Sequence, residues 1–361
     1  MNAISSPFRV AVLDDYQRVA LQMADWRSLP ASVSVEVFDR PLGSLDAAAA
    51  ALQPFDAVCL MRERQPFPRA LFERLPRLRL LTLTGGRAPS LDSAAATDHG
   101  VLISHTRSGG THETTVELTW ALILATARHL PREDRNVRAG GWQHTLGTRL
   151  HGKTLGLLGL GKLGAGVARI GQAFGMNLIA WSTNLTAARA GEVGAEWVSK
   201  KALFARSDVL SVHLVLGERS RGLVGAVELT RMRPGAIFIN TSRGPIVDEA
   251  ALIAALQENR LAGAGLDVFD QEPLPPEHPL RRLENVVLSP HLGYVTAESY
   301  AEYYHDTVEN LAAFLAGKPL RVLNPDVLGK MRPPPLRGDG PAERMRRAKP
   351  SFATKPSDTS A

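Results

Sequence analysis

The sequence predicts an α/β fold in which a doubly wound parallel sheet interrupts a smaller α/β unit. Two observations carry this. Short apolar runs of strand length alternate with stretches of helical spacing along most of the chain. One such run, beginning at Thr154, breaks into Gly159-Leu-Gly161-Lys-Leu-Gly164, spaced G-x-G-x-x-G, before helical spacing resumes at Leu163, Val167, Ile170 and Phe174. In that spacing the first glycine permits a tight turn, the second lets backbone approach a pyrophosphate, and the third lets helix and strand pack closely. The helix N-terminus that follows is suited to an anion.

From the start, residues 8–13 read as a strand, 33–38 as an alternating one, 57–61 and 78–83 as buried ones, and 101–103 as a short one. Residues 45–52 and 69–75 supply helices between them. Residues 113–130 form a long apolar helical pattern around Trp120, a candidate domain bridge or dimer contact. After the glycine turn, strand signals recur at 177–181, 196–198, 209–216, 236–240, 263–268 and 286–288, and residues 256–261 close a helix. Residues 299–315, with Tyr300, Tyr303, Tyr304 and Leu311, form a last helix that is expected to return to the first unit. The first unit is then discontinuous, residues 1–107 with 292–325, and encloses a dinucleotide-binding domain at 108–291, with the two crossovers forming a hinge over a cleft.

The chain has 361 residues, enough for two domains, and 44% hydrophobic with 22% charged residues places it among globular proteins. Its only cysteine, Cys59, lies in an apolar run, so an intramolecular disulfide is excluded and a buried thiol is expected. No leader-like or membrane-length apolar stretch occurs, which favours the cytoplasm and no membrane partner. The net charge of +6 is concentrated at the end: residues 326–361 hold eight Lys/Arg against four acids, a net +4 that leaves +2 for the rest. With its prolines and few aliphatics, that segment is expected to be a disordered basic tail. The charge therefore gives no footprint for nucleic acid.

Three polar residues fall at the carboxyl ends of predicted strands, where open α/β sheets place ligands. Arg243 follows the run ending at Ile239, with its fork placed to grip a carboxylate. His291 projects between Pro290 and Gly293, and Glu272 is suited to orient it and stabilise its imidazolium.

Four ordered motifs carry a resemblance: Gly159-Leu-Gly-Lys-Leu-Gly164, Asn240-Thr-Ser-Arg-Gly-Pro-Ile-Val-Asp248, Gly265-Leu-Asp-Val-Phe269 leading to Glu272-Pro273, and Ser289-Pro-His-Leu-Gly293. From about residue 8 to 325 the chain resembles the D-isomer-specific 2-hydroxyacid dehydrogenases, including phosphoglycerate dehydrogenase-like members. The resemblance implies a Rossmann nucleotide domain inserted into a smaller flavodoxin-like α/β substrate domain. It implies hydride transfer between NAD(P)H and a small 2-oxo or D-2-hydroxy acid, with His291 as acid/base, Glu272 supporting it and Arg243 binding the substrate. Gly159, Gly161, Lys162, Leu163, Gly164, Ser182, Thr241, Asp267 and Gly293 would contact the cofactor, Asp267 at the nicotinamide carboxamide. Thr84-Gly85-Gly86-Arg87 looks like the substrate loop, whose backbone N–H groups cradle a carboxylate. The text departs from the commoner pattern at Ala88-Pro89. Arg62-Glu-Arg64 offers added cationic selectivity for the substrate, with a solvated charge cluster as the preferred reading. Relatives pair through their nucleotide domains, so a homodimer is expected.

The cofactor is NAD or NADP. Ser182 stands where the family commonly has aspartate, and no acid occurs from residue 165 to 191, so rejection of a 2′-phosphate is missing. Arg189 and Lys200-Lys201 are the nearest candidate cations. The same fold and the same Arg, Glu and His set occur in dinucleotide-sensing corepressor scaffolds, the alternative to an enzyme.

Overall fold

The computed structural model describes residues 7–331, Arg87 and Gly109 excepted. They form two compact units: residues before Gly110 together with those from Tyr300, and Gly110–Ser299.

In the first unit, β1 (Phe8–Val12), β2 (Val33–Val37), β3 (Ala57–Leu60), β4 (Leu80–Leu83) and β5 (Leu102–His105) make a parallel sheet in the order β2-β1-β3-β4-β5. This is the flavodoxin order. The central strands β3 and β4 are buried at every position, whereas the edge strand β2 alternates half-buried valines with exposed Ser34 and Glu36. The sequence patterns differ for that reason: a strand covered on both faces has no polar side to show. The return segment covers the other edge. His105 N–H donates to Arg321 O (2.9 Å) and Leu323 N–H to Ile103 O (2.8 Å), pairing antiparallel with β5.

The helix Ala297–Leu315 brings Tyr303, Tyr304, Leu311 and Phe314 into this unit's core, with the Phe314 ring tilted 40° against Phe8 at 6.2 Å between centroids. Residues 326–331, expected to begin a disordered tail, are instead part of the fold. Pro325–Gly329 forms a 3-10 turn with Val327 fully buried, and the buried Asn324 side chain hydrogen-bonds Ile103, Val101 and Thr97. One buried valine and one satisfied asparagine anchor this turn. Residues 332–361 lie outside the described residues.

In the second unit, β6 (Thr154–Leu158), β7 (Asn177–Trp181), β8 (Glu196–Trp197), β9 (Val209–Val212), β10 (Ile237–Asn240), β11 (Gly263–Leu266) and β12 (Val286–Leu288) form a parallel sheet ordered β12-β11-β10-β9-β6-β7-β8. The order reverses between β6 and β9, the Rossmann switch point. Leu158, Val212, Asn240, Leu266 and Leu288 stand abreast in register, so the loops that follow these five strands leave one edge side by side. Neighbouring strands lie about 4.8 Å apart.

The long helical pattern divides. A helix spans Thr111–Ala127, and a second, Leu130–Arg138, starts after His129 turns left-handed (φ 53°). The second has no buried residue, so it left no apolar period to read. The first packs inside its own unit: Trp120 stacks on Phe174 at 4.7 Å and donates to Val167 O at 3.2 Å. Its buried apolar positions are thus core, while Glu117 and Ala121 are exposed and Leu118, Leu124 and Ala125 half-buried. The units also change at 109/110 and 299/300 rather than at 107/108 and 291/292, because Gly293 O accepts from Thr114 and Thr115 (2.8 Å each) and ties the His291 turn to the Gly110–Ser299 unit.

Candidate active site

Five loops leave the aligned edge of the larger sheet. At the first, Gly159 adopts φ +104°, where a side chain is strained, and a Cβ there would meet the His213 backbone at 2.8 Å. A Cβ on Gly164 would collide with Gly159 O, so this glycine lets the helix seat on the turn. Gly161 is different: its φ is ordinary and nothing stands within 4 Å of its Cβ position. Open space above a backbone that begins the helix Lys162–Ala173, whose N-terminus has no side-chain cap, is what an incoming diphosphate requires. Lys162 is exposed and Leu163 half-buried.

At the second, His213 hydrogen-bonds Ser211 (Nε2 to Oγ, 2.8 Å), and burial pushes its imidazole down to about 4. Sequence reading passed over it, since only the close approach of its backbone to Gly159 gives it a role.

The third loop carries Arg243. Buried Asn240 holds the turn, accepting from Ser242 N–H and donating to Arg243 O (3.0 Å each). Arg243 Nη1 donates to Ser242 O (2.7 Å). Thr241 is buried, with its hydroxyl bonded to that of Thr119 (2.8 Å). Gly244 meets the fourth loop backbone to backbone: a Cβ there would collide with Phe269 and Asp270. A glycine immediately after the arginine was the available signal for this contact.

The fourth and fifth loops bring Glu272 and His291 together. His291 Nδ1 lies 2.6 Å from Glu272 Oε2, and Glu272 Oε1 accepts from Phe269 N–H (3.0 Å). Burial pushes the Glu272 carboxyl up, but the hydrogen bond and charge of His291, the Phe269 N–H and the Arg243 charge outweigh it, so the group sits below its usual range. An ionised Glu272 fixes the proton on Nδ1 and leaves Nε2 as the working nitrogen. His291 itself is left-handed (φ 57°). Asp267 holds this turn: it accepts from the Ser289 hydroxyl, from Leu292 N–H (2.7 Å) and from Gly293 N–H (3.0 Å). Burial raises the Asp267 carboxyl despite these bonds. All three of these partners lie in the His291 turn.

In the first unit, Gly85 has φ +75° and its N–H donates to Thr106 Oγ1 (2.9 Å), so that amide serves the turn itself. Gly86 N–H has no hydrogen-bond partner among the described residues. Arg87 lies outside them. Arg62, Glu63 and Arg64 are half-buried rather than solvated: Arg62 abuts Gly85, and the Arg64 guanidinium lies 4.8 Å over the Tyr16 ring.

Residues 120–293 match the family model described as D-isomer specific 2-hydroxyacid dehydrogenase, NAD binding domain. Over 274 residues the chain is 43% identical to a glyoxylate reductase of Aeropyrum pernix, covering 73% of this chain and 81% of the relative. The chain belongs to the D-isomer-specific 2-hydroxyacid dehydrogenase family. It is 34% identical over 287 residues to a D-3-phosphoglycerate dehydrogenase of Synechocystis, covering 77% of this chain but only 51% of that relative. A solved phosphoglycerate oxidoreductase from Vibrio cholerae superposes with a TM-score of 0.81 at 36% identity, covering 86% of this chain and 99% of that one.

This dehydrogenase is an oxidoreductase on CH–OH donors that uses NAD or NADP. The glycine turn fits a dinucleotide, as described above. At the end of β7, Ser182 is half-buried and carries no charge. Of the candidate cations, Arg189 pairs with Glu192 (2.5 Å) and Lys200 with Glu228 (2.9 Å), while Lys201 is exposed. Among the described residues no group of three His, Cys, Asp or Glu is placed to hold a metal, and no helix is long and apolar enough to cross a membrane.

Proposed function

We propose that this dehydrogenase reduces small 2-oxo acids to D-2-hydroxy acids, with His291 as acid/base, Glu272 supporting it, and Arg243 holding the substrate carboxylate and carbonyl. The 2.6 Å contact between His291 Nδ1 and Glu272 Oε2 supports this reading above all. The bound nicotinamide supplies the hydride. As charge develops on the carbonyl oxygen, His291 donates the proton on Nε2 to it, and the neutral ring keeps its Nδ1 proton on Glu272. Arg243 offers a fixed donor fork to the planar carboxylate. The reverse reaction returns the proton to Nε2.

A panel of glyoxylate, hydroxypyruvate, pyruvate and bulkier 2-oxo acids, each with NADH and NADPH, tests the reading. Turnover of at least one small acid is expected. Absence of turnover across the panel would move the protein to the dinucleotide-sensing scaffold class. Arg243→Lys should raise KM at least tenfold, because a point charge replaces a fork.

Without an acid near Ser182, both cofactors should bind. A Kd ratio favouring NADH by more than about a hundredfold, roughly 2.7 kcal/mol, would contradict this, and Ser182→Asp should weaken NADPH selectively.

The homodimer belongs to the same proposal. Its contact is assigned to the arm after the first helix of the larger unit, where Leu130, Val137, Trp142 and Leu146 are exposed by 55, 51, 77 and 95%. Trp142→Glu with Leu146→Glu should give a monomer by light scattering. The same proposal assigns the enzyme to the cytoplasm.

A further inference from the structure

The Glu272 loop is closed by a carboxylate that the reaction does not use. Glu249 opens the helix Glu249–Gln257 and is fixed there by the Asp248 cap, whose side chain accepts from Ala251 N–H. Its Oε2 accepts from Asp270 N–H (3.3 Å), and its Oε1 lies 3.0 Å from His278 Nε2. Leu280 N–H donates to His278 Nδ1 (3.4 Å), so Nε2 carries the proton that meets Glu249. A single carboxylate thus joins residues 270 and 278, and Glu272 lies between them. Glu249 and His278 are mostly buried, with side chains 18% and 16% exposed.

Two further contacts hold the loop, one from each side of the latch. Gly244 packs on Phe269 and Asp270 without room for a Cβ, and Arg243 precedes it. Arg281 grips the loop's middle through Leu274 O (2.6 Å) and Pro275 O (2.8 Å). Phe269, one residue before the Glu249 anchor, supplies the N–H that Glu272 Oε1 accepts. The bond that orients Glu272 is therefore next to the bond that Glu249 makes. Charge around Asp270 is dense: burial and the charges of Glu249 and Asp248 push its carboxyl up, against Arg221 and His278.

We propose that Glu249, latched to His278, is a positioning residue that sets the approach of Glu272 to His291. The inference rests on the Glu272–His291 reading above. Geometry is what the latch supplies, and small misplacements of reacting groups can cost up to about a hundredfold in rate.

Glu249→Gln is the test, because one amide oxygen cannot accept from both donors. With the panel's best 2-oxo acid and its preferred cofactor, kcat should fall about tenfold and the pH profile of kcat should shift. Cofactor Kd should stay within twofold. His278→Gln should act alike, and the double variant should be no worse than either single one, since both break one latch. Tm and cofactor Kd identify any variant that fails to fold, and the two substitutions are independent routes to the same loss. Unchanged kcat and pH profile in both single variants would overturn the proposal, as would strictly multiplicative losses in the double variant. His291→Ala, assayed beside them, separates the two readings: if it keeps full turnover, the catalytic assignment fails whatever the latch variants do.

Discussion

Asp267 decides where His291 stands without touching its ring. Its carboxylate gathers the Ser289 hydroxyl and the N–H groups of Leu292 and Gly293, and the left-handed His291 lies between those anchors. Asp267→Asn turns one acceptor into a donor facing an N–H or a hydroxyl. We expect kcat to drop about tenfold to a hundredfold and stability by about 1–3 kcal/mol, read from kinetics and a denaturant midpoint. Sequence assigned this residue to the cofactor because resemblance supplies a role for a position, while hydrogen bonds to a turn 25 residues away leave no local trace. Arg243, Glu272 and His291 were legible for the opposite reason: each ends or follows an apolar run, and position at a strand end is itself a sequence pattern. Cys59 is a simpler case. It is buried and its thiol is pushed up to about 12, so native protein should resist iodoacetamide at neutral pH, whereas denatured protein labels readily.

Among the elements, the glycine turn separates three glycines that look alike in sequence. Gly164→Ala places a methyl against Gly159 O and should destabilise the fold by about 1–3 kcal/mol. Gly161→Ala enters open space, so Tm should hardly move, yet the methyl occupies the approach to the backbone and should weaken NAD(P) binding at least tenfold. Equal losses of Tm in the two variants would contradict this division. Spacing revealed the motif, but which glycine answers to φ, packing or ligand needed the neighbours, the His213 backbone and Gly159 O among them. Strand ends were less legible. Residues 213–216 read as part of a strand because Leu214, Val215 and Leu216 are apolar, yet β9 stops at Val212, where the chain leaves the sheet edge to pass the glycine turn.

For the whole molecule, the two-unit plan was legible from the alternation of strands and helices, and the discontinuous unit from one late helix rich in tyrosine. What fastens that helix was not. Asp306 is fully buried and accepts from Arg107 N–H (2.8 Å), Nε (3.1 Å) and Nη2 (2.7 Å), residues some 200 positions apart in sequence. Burial raises the Asp306 carboxyl, but the Arg107 bonds and the Arg321 charge outweigh it and hold it below the usual range. A depressed carboxylate stabilises the fold above its unfolded value, and that contribution disappears as pH falls through the folded one. Asp306→Ala should therefore cost about 3 kcal/mol at pH 7, near the low end for a broken buried pair because Arg107 can re-solvate. The gap to wild type should narrow below about pH 4. The basic tail shows the limit of composition: residues 326–331 hold no proline and one acid against one lysine, so averaging over the whole segment hid them, and one buried valine keeps them on the fold.

The most direct measurement of the central claim is the turnover of His291→Asn, taken beside its cofactor affinity by fluorescence titration. Loss of the proton donor should reduce kcat on the best 2-oxo acid by about a hundredfold to ten-thousandfold, with Kd for the reduced cofactor within twofold of wild type. Turnover within tenfold of wild type at unchanged cofactor Kd would show that the imidazole held by Glu272 is not the acid of this reaction.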